Sequence, residues 1–253
     1  MTTAIAPQVL VRGPGLSPRA LSQGPLLWVV RPPAADTPLD LRLLDAEEQR
    51  RAVALRRPAE RALYVAAHSA LRRVLGAYTG VPAAAVRLTR LPCPGCGGPH
   101  GRPAVAGPAG HAVHFSLSHS GGLALLGLAS RPVGVDVERV PDPKLAEEAS
   151  RALHPSERQQ LTNMPAAIRA AAFARCWSRK EAYLKATGEG VSLDALRGVH
   201  VGAGFDPAQM PGWRLADVDV PVGWAAACVV SAPGAPRGRR PVPCASRGSH
   251  GRR

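Results

Sequence analysis

The chain has 253 residues, with 32 Lys and Arg against 18 Asp and Glu, a formal net charge of +14. A hydrophobic share of 45% with charges of both signs excludes a disordered or fibrous chain. No apolar run approaches the ~18 residues that a membrane-spanning helix needs. The first residues carry no basic segment followed by a long apolar stretch, so no secretory signal is expected and the cytoplasm is the predicted compartment. Residues 1–31 hold three arginines and residues 232–253 hold six, neither with an acid, so the stretch between them carries only +5.

Taken in chain order, residues 1–24 are rich in Pro, Gly and small residues and are expected to be flexible. Leu26 to Val30 is a short apolar strand. Asp45 to Arg57 is predicted to be a helix, with Asp45 as cap and Glu48 three residues on, the pattern of a capping box. A second helix runs from Ala59 to Tyr78, with Leu63, Ala67, Ala70, Leu71, Val74 and Leu75 at helical spacing and His68 packed among them. Leu91 to Gly110 is a turn-rich loop. Strands follow at Ala112 to Ser118, Leu123 to Ser130 and Val133 to Val140. A helix near Lys144 to Leu153, a long one from Ala166 to Thr187 and a strand at Trp224 to Ser231 complete the pattern. Residues 232–253 are low-complexity and basic, and are expected to be disordered. Short links between consecutive strands point to an α+β fold with antiparallel sheet. The alternation suggests two half-domains, residues 25–130 and 131–231, without a clear sequence repeat.

Three clusters carry chemistry. In Val133-Gly134-Val135-Asp136-Val137-Glu138 alternate side chains share a strand face, so the valines can turn to a core while Asp136 and Glu138 point together to the other side. Two carboxylates so placed repel each other unless a cation such as Mg²⁺ sits between them; two ordinary acids facing solvent are the other reading. In Trp177-Ser178-Arg179-Lys180-Glu181-Ala182-Tyr183-Leu184-Lys185 the apolar stripe Ala170, Phe173, Trp177, Leu184 is broken by Lys180 and Glu181. A buried charge there must be paired or metal-bound. Glu181 and Lys185, four residues apart, share a face. In His114-Phe115-Ser116-Leu117-Ser118-His119-Ser120-Gly121-Gly122 a strand ends in hydroxyls and turn amides of the kind that bind phosphate oxygens; a plain hairpin is the other reading. Ser118 and His119 are adjacent and point apart, which disfavours a serine hydrolase.

These three runs, in this order and with 17 residues from His119 to Asp136 and 45 from Asp136 to Glu181, resemble the 4′-phosphopantetheinyl transferases of the surfactin-synthetase (Sfp) type. The resemblance covers roughly residues 25 to 231. It implies two similar half-domains, each a small sheet packed with a long helix, in a protein that is usually a monomer. It implies transfer of the phosphopantetheine arm of coenzyme A to a serine of an acyl or peptidyl carrier protein, with release of adenosine 3′,5′-bisphosphate. By resemblance, Asp136, Glu138 and Glu181 ligate Mg²⁺, with Asp136 and Glu181 also part of the coenzyme A site. Lys185, Ser118 and His119 meet coenzyme A phosphates, and Gly101, Arg102 and Pro103 line the adenine pocket. Arg102 stands where the family usually has Lys, keeping charge but not geometry. Arg61, with Arg56 and Arg57, would meet the 3′-phosphate. The base for the serine is open among Glu181, Glu157 and a Mg²⁺-bound water. The carrier is also open among polyketide, nonribosomal-peptide and fatty-acid synthases, with specialised metabolism such as antibiotic biosynthesis as the family's habit.

Cys93 and Cys96, with His100 and His111, form half of a zinc pattern; the alternative is a reduced structural loop. The odd count of five cysteines argues against a disulfide framework. A competing reading of the whole chain is a basic binding module for nucleic acid or an acidic protein. Such a module has no need of Asp136, Glu138 and Glu181 in register, and the tail interleaves no aromatic with its arginines for base stacking, so no nucleic acid is expected as partner.

Overall fold

The computed structural model describes residues 4–9 and 21–234. The basic run from residue 235 and residues 1–3 and 10–20 of the N-terminal segment lie outside the described residues. Within the first 24 residues, β1 (Gln8–Val9) pairs in parallel with β2 (Leu26–Val30), where the sequence predicted no element.

After β2 the chain forms α1 (Ala46–Ala54), α2 (Pro58–Thr79), a ribbon of β3 (Leu88–Arg90) and β4 (Pro103–Val105), and the hairpin β5 (His114–Ser120) to β6 (Leu123–Ala129). It continues through β7 (Val133–Arg139), α3 (Pro143–Ser150), α4 (Pro155–Thr162), α5 (Ala166–Thr187), α6 (Leu193–Gly198), β8 (Trp213–Asp217) and β9 (Trp224–Ser231). The sheets run β1-β2-β6-β5 and β7-β9-β8. Both halves follow one plan: a strand, then helices, then two strands, of which the last inserts between the other two and pairs antiparallel with each. Each half contains one helix of 22 residues, α2 or α5, ended by a glycine in the left-handed region. No described helix is long and apolar enough to cross a membrane.

Strand alternation builds four layers. Val133, Val135 and Val137 of β7 meet Leu27, Val29, Leu123 and Leu125 between the two sheets. The other face of the first sheet presents Trp28, Leu126 and Leu128 to Leu71, Val74 and Leu75 of α2. The other face of the second sheet presents Ala227 and Val229 to Phe173, Tyr183 and Leu184 of α5. Gly134 lets α5 lie directly on β7: a Cβ there would run into the backbone of Ala182 and Ala186. The hairpin turns on Gly121 and Gly122, both with positive φ, the backbone that a two-residue turn of type I′ demands.

The predicted elements stand with small shifts at their ends, and the Asp45–Glu48 capping box is present. The sequence missed β1, β3, β4, α4, α6 and β8, all of eight residues or fewer, too short for periodicity to register. The loop expected over 91–110 contains β4 and the ribbon turn that leads into it.

The cap of α1 is also where that helix is tied to α2. Arg72 of α2, fully buried, donates to Glu48 at 2.6 Å, to Asp45 at 2.5 Å and to the Val86 carbonyl at 2.8 Å. His68 meets the other Glu48 oxygen at 2.8 Å. Burial pushes the Glu48 carboxyl up, but the bonds from His68, the Asp45 amide and Arg72 together hold it below its ordinary value. The stability Glu48 contributes is therefore present above its unfolded pKa of ~4.3 and lost as pH falls through the lower folded value. We expect Glu48→Gln to lower Tm clearly at pH 7, with the gap to the parent narrowing below about pH 4; thermal unfolding followed by circular dichroism across pH checks this.

Candidate active site

The face of β7 turned away from the valines carries Gly134, Asp136 and Glu138, and α5 lies across it. Asp136 is only 1% exposed. One of its oxygens, Oδ1, accepts from Lys185 Nζ at 2.6 Å and from Ser118 Oγ at 2.7 Å. Lys185 and Ser118 are themselves 3.0 Å apart. The other oxygen, Oδ2, is buried without a hydrogen-bond partner in the protein. A buried carboxylate oxygen left so is costly unless something outside the chain binds it.

Glu138 and Glu181 sit within electrostatic reach of that oxygen. Burial, with the Asp136 charge beside it, raises the Glu138 carboxyl, against the pull of Ser120 and Lys185. Burial first, then Asp136, pushes Glu181 up to about 7, with Glu138 adding to the push and Lys185 opposing it. Among the described residues, only Cys93, Cys96 and His100 bring three ligand atoms within 4.8 Å of one another, so the three carboxylates do not close a cage by themselves. Mutual repulsion is reason enough. An all-oxygen carboxylate set with one orphaned buried oxygen suits a hard divalent cation, and the residues therefore fit Mg²⁺.

β5 supplies the opposite wall. Ser116 Oγ accepts from the Val135 amide at 3.0 Å and Ser120 Oγ accepts from the Arg139 amide at 3.2 Å. β7 is an edge strand of its sheet, and these serines satisfy edge amides that would otherwise be unpaired. Ser118, between them, turns its hydroxyl to Asp136. It is buried and donates to a carboxylate, while His119 points to the other face, so the pair cannot work as a hydrolase nucleophile and base.

His119 reaches solvent, yet desolvation, followed by the charges of His68, Lys185 and Arg51, holds its imidazole below the ordinary range. Arg51 was not singled out in the sequence, and only the docking of α1 against α2 reveals it. Gly101 packs where a Cβ would strike the Leu91 and Pro92 carbonyls. Arg102 is half-buried and donates to the Ala186 carbonyl at 3.0 Å, one residue from Lys185. Desolvation lowers its pKa.

A model of the 4′-phosphopantetheinyl transferase superfamily matches residues 132–212, which span β7 and α3 to α6 and end just before β8. The chain is 31% identical over 182 residues to the 4′-phosphopantetheinyl transferase HetI of Nostoc sp., covering 69% of this chain and 73% of that protein. The chain belongs to the 4′-phosphopantetheinyl transferase family. It is also 32% identical over 152 residues to the Synechocystis sp. protein slr0495, and 33% identical over 81 residues to the 4′-phosphopantetheinyl transferase Sfp of Bacillus subtilis. These matches span 59% of the length of slr0495 and 36% of that of Sfp.

Measured against the site expected of a 4′-phosphopantetheinyl transferase, Glu157 needs correction as a base, and Arg61 and Arg57 are engaged within the protein. Glu157, a candidate base, is fully buried at the start of α4. It pairs with Lys180 at 2.7 Å and accepts from the amides of Val201, Gly202 and His154. Lys180 also donates to the carbonyls of Leu196 and Val199. A carboxylate so enclosed has no access to an incoming hydroxyl; Glu157 holds α4, α5 and the 199–202 segment together. Arg61, expected at a phosphate, instead holds the end of α1 through the Leu55 and Val53 carbonyls, and Arg57 pairs with exposed Glu60 at 3.0 Å. Arg56 is exposed beside them.

Removing one member of a fully buried pair strands the other charge and costs about 3–5 kcal/mol. We expect Glu157→Gln to lower Tm strongly, while the pH–rate profile of whatever enzyme remains folded stays that of the parent. A displaced acidic limb in that profile would return Glu157 to the chemistry.

Proposed function

We propose that the chain transfers the 4′-phosphopantetheine group of coenzyme A to a serine of an apo acyl or peptidyl carrier protein, using Mg²⁺ and acting as a cytoplasmic monomer. The observation that carries this reading is the Asp136 carboxylate, gripped on one oxygen by Lys185 and Ser118 and bare on the other, with Glu138 and Glu181 within electrostatic reach of it. Asp136, Glu138 and Glu181 would hold the Mg²⁺, which when bound neutralises charge on the diphosphate and favours in-line displacement at its β-phosphorus.

The chain's own groups do the rest. Lys185 is 30% exposed, so its ammonium, which donates to Asp136 and Ser118, keeps its third donor for a phosphate oxygen. Ser118 acts as a positioning residue that fixes which Asp136 oxygen is left bare. Arg51, near enough to His119 to depress its imidazole, and the exposed His119 ring as a hydrogen-bonding group suit the anionic nucleotide end of coenzyme A. Arg102, tied to the end of α5, brings a second cation to the same side. With Glu157 enclosed, Glu181, whose carboxyl is raised by burial and by the Asp136 charge while no cation is bound, and a water held in the site are left to accept the proton of the carrier serine. The serine oxygen bonds to the β-phosphorus, the bond from that phosphorus to the bridging oxygen breaks, and adenosine 3′,5′-bisphosphate leaves with the electron pair. The mildly basic body suits an acidic carrier.

Incubation with coenzyme A, Mg²⁺ and apo carriers from fatty-acid, polyketide and peptide assembly, followed by weighing the carrier, tests the reading. We expect a gain of one phosphopantetheine, lost in Asp136→Ala. No gain on any carrier would defeat the proposal.

A second readout does not need activity. Mg²⁺ should raise the Tm of the parent and leave that of Asp136→Ala unmoved, because only binding to the native state stabilises it.

A further inference from the structure

The loop between β3 and β4 holds a cluster that the transfer chemistry does not use. Its sequence is Cys93-Pro94-Gly95-Cys96-Gly97-Gly98-Pro99-His100. The chain doubles back on itself there: the Gly97 amide donates to the Cys93 carbonyl at 2.8 Å, and the Cys93 amide donates to the Gly98 carbonyl at 2.7 Å. Gly97 takes a φ of 72°, which a side chain would strain. The His100 amide turns back to the Gly98 carbonyl at 2.9 Å. A Cβ at Gly98 would press to 3.0 Å from the His100 ring and 3.3 Å from the Cys96 sulfur. These turns bring the Cys93 sulfur, the Cys96 sulfur and a His100 ring nitrogen within 4.8 Å of one another, with Cys96 Sγ and His100 Nε2 at 3.0 Å. Cys93 is buried, while Cys96 and His100 are exposed, and all are free of disulfide.

We propose that Cys93, Cys96 and His100 bind one Zn²⁺, separate from the carboxylate site. Two sulfurs and an imidazole are soft and borderline donors, which select zinc over magnesium. The two thiols lose their protons to solvent on binding, the imidazole binds neutral, and water takes the fourth position on the exposed side. The His111 side chain lies outside the described residues and is not part of the set.

The ion would brace the ribbon turn. The neck of this loop is closed by Leu91 N to Arg102 O and Gly101 N to Leu91 O, both 3.0 Å, and Arg102 reaches the Ala186 carbonyl on α5. Metal at the tip therefore stiffens the segment that presents Arg102.

The test uses the untagged full chain, reduced and stripped by chelator, then titrated with Co²⁺ and Zn²⁺. One Co²⁺ per chain should bind with near-ultraviolet thiolate-to-cobalt absorption and the visible bands of a tetrahedral site, and equimolar Zn²⁺ should displace it. Cys96→Ser and His100→Ala should each weaken binding by more than about tenfold, while Cys244→Ser leaves it unchanged. The variants should retain the parent's far-ultraviolet circular dichroism, which separates a lost ligand from a lost fold. Absence of the thiolate band in the parent overturns the proposal. So does Co²⁺ binding that persists unaltered in the Cys93→Ser/Cys96→Ser double variant.

Discussion

One oxygen of a buried carboxylate joins the parts of this protein that matter for chemistry. Asp136 lies on β7, Lys185 on α5 and Ser118 on β5, and all three meet at Asp136 Oδ1. A carboxylate with 1% exposure is tolerable only with such partners. The same arrangement leaves Oδ2 buried without a partner in the protein, with Glu138 and Glu181 near enough to feel the Asp136 charge. Structural and functional demands thus divide the two oxygens of a single side chain.

The surrounding architecture exists to permit that meeting. Gly134 removes the side chain that would hold α5 off β7, so the helix comes close enough for Lys185 to reach the strand. Ser116 and Ser120 bind the open edge of β7, so the first sheet abuts the second through hydroxyls rather than a continuous ladder. This seam lets Ser118 point at a side chain instead of an amide. The midsection of α5 serves several masters in succession: Ser178 bonds the Ala225 carbonyl, Arg179 binds Asp217 and the carbonyls of Gly202, Gly204 and Phe205, Lys180 binds Glu157, and Glu181 faces Asp136. Successive residues on a helix point about 100° apart, so four polar residues in a row address different neighbours. Each buried charge finds an acid or carbonyl, which is why a helix this polar can be buried at all.

The long elements were legible because their patterns are long. α5 and β9 carry the bounds read from sequence, and the Asp45–Glu48 box set the start of α1. The alternation of Val133 to Glu138 announced which side chains share a face, and the break in the α5 stripe announced that Lys180 needed a partner. What stayed hidden was partner identity. Nothing in the spacing of His154-Pro155-Ser156-Glu157 reveals that Glu157 is the counter-ion of Lys180, because the two are 23 positions apart. Arg51 drew no attention in the sequence and Arg61 was expected at a phosphate; the docking of α1 against α2 shows Arg61 on the carbonyls that end α1 and Arg51 near His119.

The sequence by itself therefore determined the fold class, the face shared by Asp136 and Glu138, and the family to which the ordered motifs point, since these follow from local periodicity and motif order. Only the tertiary structure decided which charged groups are enclosed and paired within the protein and which are not. Glu157 and Glu181 both stand on helices beside basic residues, yet one is sealed by three backbone amides and an ammonium while the other is raised by burial and then by the charge of Asp136. That difference arises from contacts across β5, β7, α4, α5 and the 199–202 segment, and the free energy of a buried charge is set by such neighbours rather than by its place in the chain.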